Sequence, residues 1–286
     1  MKIQDMLVVS DLDGTLVPIS GRISEENRSA IRRFRETGGT FTIATGRSPI
    51  VARKYAELLE VQGPVICDNG AVIYDFEKEK CLWTQQLPEG FQQTLQKLAN
   101  RYPKAGICAA AYDGSAYILC YTPLLDPIAQ HFQSRECSAE EIPSDCCKAI
   151  LMLPPKEMDF AAYEIMKAGY PSVDFVRSGQ DCLEIMAKGI SKGSSLERLA
   201  LLYGKSLRNF VLIGENTMGC NTFGNVAAYQ LAYSRIVCRI PNVVNLCENP
   251  SDCEEGRGFT PDYWVDSPDV EAEAVAWIAG YRGGHR

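Results

Sequence analysis

Residues 6–16 read MLVVSDLDGTL: the short apolar run Met6 to Ser10, then Asp11, Leu12, Asp13 and Gly14. A buried strand of a parallel sheet looks like that run, and in an open sheet of this kind ligands gather beyond the carboxyl ends of the strands. Two acids at i and i+2, with a glycine that permits a sharp turn, can present one carboxylate as a nucleophile and the other as a proton donor. An Asp-rich turn with Thr15 as its cap is the competing structural explanation.

Outward from this stretch, strand and helix signals alternate. Ser24 is placed as the N-cap of a helix with Glu25 and Glu26 in its first turn, ending at Gly38-Gly39. A strand Thr40 to Ala44, a helix Ser48 to Leu59 and a strand Pro64 to Cys67 follow, giving β-α-β-α-β. A strand pair, Ala71 to Tyr74 and Cys81 to Thr84, comes next. From Leu87 the order changes to four strands and three helices with Pro-rich joints, which reads as a separate α+β module. The first pattern resumes with a helix Ser194 to Tyr203, a strand Phe210 to Ile213 and a helix near Val270 to Tyr281. The expected fold is therefore α/β: a Rossmann-like parallel-sheet core, residues 1–84 and 189–286, interrupted by an inserted α+β cap domain, residues 85–188.

Composition narrows the function. The chain has 286 residues, of which 46% are hydrophobic and 23% charged, and a net charge of −7. No apolar run approaches the roughly 18 residues of a membrane span, and the Lys and Arg residues are not clustered as phosphate neutralisation along nucleic acid requires. No membrane and no nucleic-acid partner are expected. Met6 to Val9 is too short for the apolar core of a secretory signal, which points to a cytoplasmic protein, either a monomer or a homodimer. The 12 cysteines contain no Cys-x-x-Cys spacing and there are only 2 histidines, so zinc is disfavoured and buried structural thiols are expected; the adjacent pair Cys146 and Cys147 has no assigned role.

The string Asp11-Leu12-Asp13-Gly14-Thr15-Leu16 behind its strand resembles the signature of the haloacid dehalogenase-like phosphohydrolases, and Thr45-Gly46-Arg47 and Asn69-Gly70-Ala71 resemble those of the Cof-like sugar-phosphate phosphatases within them. The resemblance extends through Leu183-Glu184-Ile185 and Gly189-Ile190-Ser191-Lys192-Gly193, where the chain would return from cap to core. It implies Asp11 as nucleophile forming an aspartyl-phosphate, and Asp13 as general acid and then base, with its backbone carbonyl on Mg²⁺. It also implies Thr45, Gly46, Arg47 and Asn69 around the phosphoryl group and Lys192 as a fixed positive charge beside it. Without the resemblance, Thr45-Gly46 and Asn69-Gly70 read as turns and Lys192 as a solvated lysine. The reaction implied is Mg²⁺-dependent hydrolysis of a small phosphorylated metabolite, with a sugar phosphate the favoured type.

The fourth motif departs from the pattern. The subfamily ends its fourth strand with Gly-Asp-x-x-Asn-Asp, whereas residues 214–219 read GENTMG. Glu215 replaces the first Asp as a metal ligand beside Asp11 and Asp13, and Met218 and Gly219 replace the Asn-Asp pair. Mg²⁺ commonly uses one or two carboxylates and keeps several waters, so Glu215 can serve; Asn216 and Asn221 offer neutral oxygens only. Metal binding about 10–100-fold weaker is expected if the lost group behaves as an outer-shell partner. Two alternatives stay open at this point: a catalytically attenuated homologue that binds a phosphate ligand in a regulatory role, and a phosphomutase.

Overall fold

A computed structural model describes residues 2–18, 21–214, 226–230, 237–241 and 264–265. Its strands, in chain order, are β1 (Leu7–Ser10), β2 (Thr40–Ile43), β3 (Pro64–Cys67), β4 (Val72–Asp75), β5 (Lys80–Thr84), β6 (Gly106–Ala110), β7 (Ser115–Cys120), β8 (Gln133–Glu136), β9 (Lys148–Met152), β10 (Val173–Arg177), β11 (Cys182–Ala187), β12 (Phe210–Ile213), β13 (Val226–Gln230), β14 (Val237–Pro241) and β15 (Trp264–Val265). The helices are α1 (Glu25–Glu36), α2 (Pro49–Leu58), α3 (Phe91–Arg101), α4 (Asp126–His131), α5 (Pro155–Ala168) and α6 (Leu196–Tyr203). The helix expected near Val270 to Tyr281 lies outside the described residues.

Two compact units result. One holds the described parts of Met1–Ala44, Tyr55–Val65 and Leu196–Arg286; the other holds Thr45–Lys54 and Ile66–Ser195. In the first, β12, β1 and β2 form a parallel sheet with Leu7 opposite both Phe210 and Thr40, and Ser10 opposite both Ile213 and Ile43. Leu7, Phe210, Val211 and Ile43 are buried, as expected for strands covered on both faces. The Ser24 Oγ accepts from the Asn27 N–H at 3.1 Å to cap α1, and Ala30 and Ile31 are its buried face. Pro64, at the start of β3, is tied to β2 by the Thr42 hydroxyl, which donates to its carbonyl at 2.7 Å. The β3 strand itself belongs to a separate sheet of order β3-β4-β5, and the order β14-β13-β15 makes a further sheet.

The second unit is built on a six-stranded sheet of order β10-β11-β9-β6-β7-β8, antiparallel except for the parallel edge pair β7 and β8. Strand alternation divides its faces. Ile107, Ala149, Leu151, Leu183 and Ile185 share one core with Leu95 and Leu98 of α3 and Met158, Ala161 and Ile165 of α5. On the other parity, Cys108 and Ile150 pack with Ile118 and Leu125.

Two of this sheet's six strands, β6 and β8, are absent from the four that the sequence pattern suggests. Gly106-Ile-Cys-Ala-Ala is short and rich in small residues of low strand propensity, and its central place between β9 and β7 decides its conformation. Gln133-Ser-Arg-Glu is polar throughout because it is an edge strand. Cys146 and Cys147 are both buried, and burial foremost pushes each thiol up to about 12, which keeps them protonated and unreactive.

Candidate active site

In the first unit the parallel sheet delivers Asp11 at the carboxyl end of β1. Its N–H donates to the Ile213 carbonyl at 2.8 Å, continuing the ladder with β12 by one residue. The side chain turns back on the loop: the Leu12 N–H donates to Asp11 Oδ1 at 2.7 Å. The Gly14 N–H donates to the Val17 carbonyl at 3.0 Å and the Val17 N–H to the Leu12 carbonyl at 2.7 Å, closing a tight loop over the buried Leu12, Leu16 and Val17. Asp11 is buried and Asp13 is exposed, so two neighbouring acids sit in different environments. Both are hard oxygen donors of the kind that Mg²⁺ takes in ones and twos while keeping water. Among the described residues no group of three or more His, Cys, Asp or Glu gathers into a metal cage, and Glu215 lies outside those residues, as do Asn216, Met218, Gly219 and Asn221.

The second unit brings Thr45, Gly46, Arg47 and Asn69 together. The Thr45 N–H donates to the Ile66 carbonyl at 2.9 Å, the Asn69 N–H to the Thr45 carbonyl at 3.1 Å and the Asp68 N–H to the Arg47 carbonyl at 2.9 Å. The Thr45 hydroxyl accepts from the Arg47 N–H at 3.1 Å. Among the described residues the Gly46 N–H makes no hydrogen bond, and nor does the buried Ser48 hydroxyl. A Cβ at Gly46 would stand 2.8 Å from Asn69 Oδ1, so the glycine leaves room for the Asn69 side-chain amide against this loop.

Gly70 is held from the other side. It has φ +100°, and a Cβ there would lie 2.1 Å from the Ser191 carbonyl oxygen and 3.0 Å from the Lys192 nitrogen. The Ser195 hydroxyl donates to the Gly70 carbonyl at 2.6 Å. Asn69-Gly70-Ala71 and Ser191-Lys192-Gly193, far apart in sequence, are thus packed against each other, which places the Lys192 backbone beside the Asn69 loop.

One part of this unit escaped the sequence reading. Lys148, the first residue of β9, is 6% exposed, and its Nζ donates to the Gly46 carbonyl at 2.8 Å and to Glu184 Oε1 at 3.2 Å. It also lies 3.1 Å from Asp68 Oδ1, an ion pair whose alignment falls outside that of a hydrogen bond. The other oxygen of Glu184 accepts from the Asn69 side-chain amide. Asp68 and Glu184 are buried as well. Burial pulls the Lys148 ammonium down, but the carboxylates of Glu184 and Asp68 outweigh it and the net shift is upward. Burial pushes Asp68 up against the opposing pull of Lys148, with Glu184 adding to the rise. The available signal was a lone charge in each of two apolar strands, KAILM and CLEIMA, because Lys and Glu are almost never buried unless paired.

The fold has counterparts of known structure. A haloacid dehalogenase-like hydrolase from Bacteroides thetaiotaomicron superposes with a TM-score of 0.63 at 23% identity, over 73% of this chain and 81% of that one. The fold class is thus α/β, of the haloacid dehalogenase-like type. The sequence profile of the haloacid dehalogenase-like hydrolases matches residues 8–218, and the chain belongs to that family, in its Cof-like branch. Among its relatives, the HMP-PP phosphatase of Klebsiella pneumoniae is 22% identical over 286 residues, covering 92% of this chain and 97% of the relative. The 5-amino-6-(5-phospho-D-ribitylamino)uracil phosphatase of Bacillus subtilis is 41% identical over 69 residues, 24% of this chain and 28% of the relative.

Proposed function

We propose that this hydrolase is a Mg²⁺-dependent phosphatase that cleaves a small phosphorylated metabolite through an aspartyl-phosphate. The observation that carries the reading is Asp11, anchored at the end of β1 by the Ile213 carbonyl and the Leu12 N–H, with Asp13 exposed two residues on. In the proposed first step an Asp11 carboxylate oxygen bonds to phosphorus, the bond to the leaving oxygen breaks, and Asp13 gives that oxygen its proton. In the second, Asp13 takes a proton from water, the water oxygen bonds to phosphorus, and the acyl-phosphate bond breaks to regenerate Asp11 and free phosphate. Mg²⁺, held by Asp11, Asp13 and Glu215, would offset the repulsion between an anionic nucleophile and an anionic ester. Thr45, Gly46, Arg47, Asn69 and Lys192 are the proposed phosphoryl contacts, and the Gly46 N–H, which has no partner among the described residues, supports that role.

A cap over a core, in the division 85–188 against 1–84 and 189–286, would exclude water during transfer and favours small substrates such as sugar phosphates. The relatives' names add 5-amino-6-(5-phospho-D-ribitylamino)uracil to the substrates worth assaying. Hydrolysis of p-nitrophenyl phosphate and of this panel, with graded Mg²⁺ and beside Asp11→Asn, tests the reading. Metal-dependent release that the substitution abolishes supports it, and no turnover on any compound at high Mg²⁺ rejects it. A second reading, a phosphate-binding homologue with little turnover, is favoured by Glu215, Met218 and Gly219 in the fourth motif. It expects inorganic phosphate to bind the wild-type protein without hydrolysis of any ester.

A further inference from the structure

We infer that Lys148 is a positioning residue for phosphoryl transfer, acting through the Gly46 peptide and, by way of Glu184, through the Asn69 side chain. The inference rests on the phosphatase reading for what these loops hold. Its geometric basis is independent of that reading.

A trans peptide is planar, so its C=O and N–H point in opposite directions and fixing one fixes the other. In the Gly46-Arg47 peptide both ends are fixed: the carbonyl accepts from Lys148 Nζ at 2.8 Å and the N–H donates to the Thr45 hydroxyl at 3.1 Å. In the Thr45-Gly46 peptide the carbonyl accepts from the Asn69 N–H at 3.1 Å, which turns the Gly46 N–H the opposite way. The loop therefore presents a backbone donor without a partner among the described residues, in an orientation set on two sides.

Lys148 is suited to this task by its charge environment. Strand parity puts it on the face of the sheet away from α3 and α5, since its neighbours Ala149 and Leu151 face those helices. There it meets Asp68 and Glu184, and three buried ionisable groups share one positive and two negative charges. A lysine so placed keeps its proton and its direction, because releasing either would leave two buried carboxylates without a cation. Glu184 in turn spends its second oxygen on Asn69. One ammonium thus orients a backbone carbonyl and a side-chain amide of two different loops. Misplacement of a reacting group by as little as 1 Å can reduce turnover by about 100-fold, so removal of this tether should be visible in kinetics.

The test compares wild-type protein with Lys148→Met, Glu184→Gln and the pair Lys148→Met/Glu184→Gln. The paired variant keeps the net charge of the cluster by retaining Asp68 alone, so it guards against loss of fold in the single one. Each is examined for a cooperative thermal transition, for p-nitrophenyl phosphate kinetics and for affinity towards inorganic phosphate. The expected result is a kcat about 10–100-fold lower in both Lys148 variants, with phosphate binding weakened by about 10-fold. Glu184→Gln leaves the Lys148 bond to Gly46 but removes one of the two carboxylate oxygens that join Lys148 to Asn69, so its kcat should fall by about 3–10-fold, less than in the Lys148 variants.

Folded Lys148 variants with wild-type kcat and phosphate affinity would overturn the inference and leave the phosphatase reading standing. Loss of the cooperative transition in both would make Lys148 a fold-holding residue and would overturn it too. If the wild type shows no turnover, the phosphatase reading fails alone, and phosphate affinity then decides: weaker binding in the Lys148 variants supports the positioning role. A wild type that neither turns over any ester nor binds phosphate ends both.

Discussion

Two pairs of acids in this molecule invite comparison. Asp11 and Asp13 stand two residues apart at a strand end, one buried and one exposed, and the Asp11 side chain is satisfied by a backbone N–H of its own loop. Asp68 and Glu184 are separated by more than a hundred residues, are both buried, and converge on the ammonium of Lys148. In the proposed function the first pair supplies a carboxylate that reacts, and in the proposed positioning role the second holds two loops still. Environment, not residue type, separates a chemical role from a positioning one.

The comparison can be broken from either side. The largest effect expected is that of Asp11→Asn, which should lower turnover by at least ~10⁴-fold while moving the thermal transition little, since loss of the proposed nucleophile removes a step outright. A stable variant that retains hydrolysis would place the chemistry elsewhere. Gly70→Ala comes next, on the side of the second pair: the new Cβ meets the Ser191 carbonyl at a position with φ +100°. It should destabilise the protein by at least about 2 kcal/mol, read from denaturant unfolding, and a neutral result would mean the two loops are not in contact.

Asp68→Asn sharpens the contrast by pH. The folded-state pKa of Asp68 is raised, mainly by burial, so the wild type loses stability as pH rises from the ordinary carboxylate range through that raised value. The variant has no such component. Its stability relative to wild type should grow across that window in denaturant midpoints taken at successive pH values. Parallel curves would show that Asp68 titrates normally.

Asp75 offers the opposite sign and the smallest effect. Burial alone would raise its pKa, but the Lys78 ammonium at 2.8 Å and the backbone N–H groups of Lys78 and Glu77, each at 3.1 Å, bring it below the ordinary value. Its contribution is present above the unfolded pKa and is lost as pH falls through the lowered folded one. Asp75→Ala should cost about 1 kcal/mol at neutral pH, the ordinary worth of such a capping carboxylate, and less in acid.

Legibility in the sequence followed distance along the chain. Asp11-Leu12-Asp13-Gly14 could be read because an apolar run, two acids and a glycine are adjacent, and the strand and tight loop are where that pattern put them. The α1 cap at Ser24 and strands β9, β10 and β11 were legible for the same reason. Strands β6 and β8 were not, since small or polar residues become strands only when neighbours pair with them. Lys148 was hidden more thoroughly. Its meaning depends on Gly46, Asp68 and Glu184, which come from three separate segments, and no local pattern contains that information.

By itself the sequence determined most of the elements, the Asp11-Leu12-Asp13-Gly14 motif and the family, because propensity, alternation and a contiguous motif are properties of neighbouring residues. Only the tertiary structure decided that a lysine at the head of an apolar strand would be buried between two carboxylates and bonded to the peptide of Gly46. The physical reason is the range of the forces: a strand can be specified locally, whereas desolvating a charge is tolerable only where distant segments deliver its partners together.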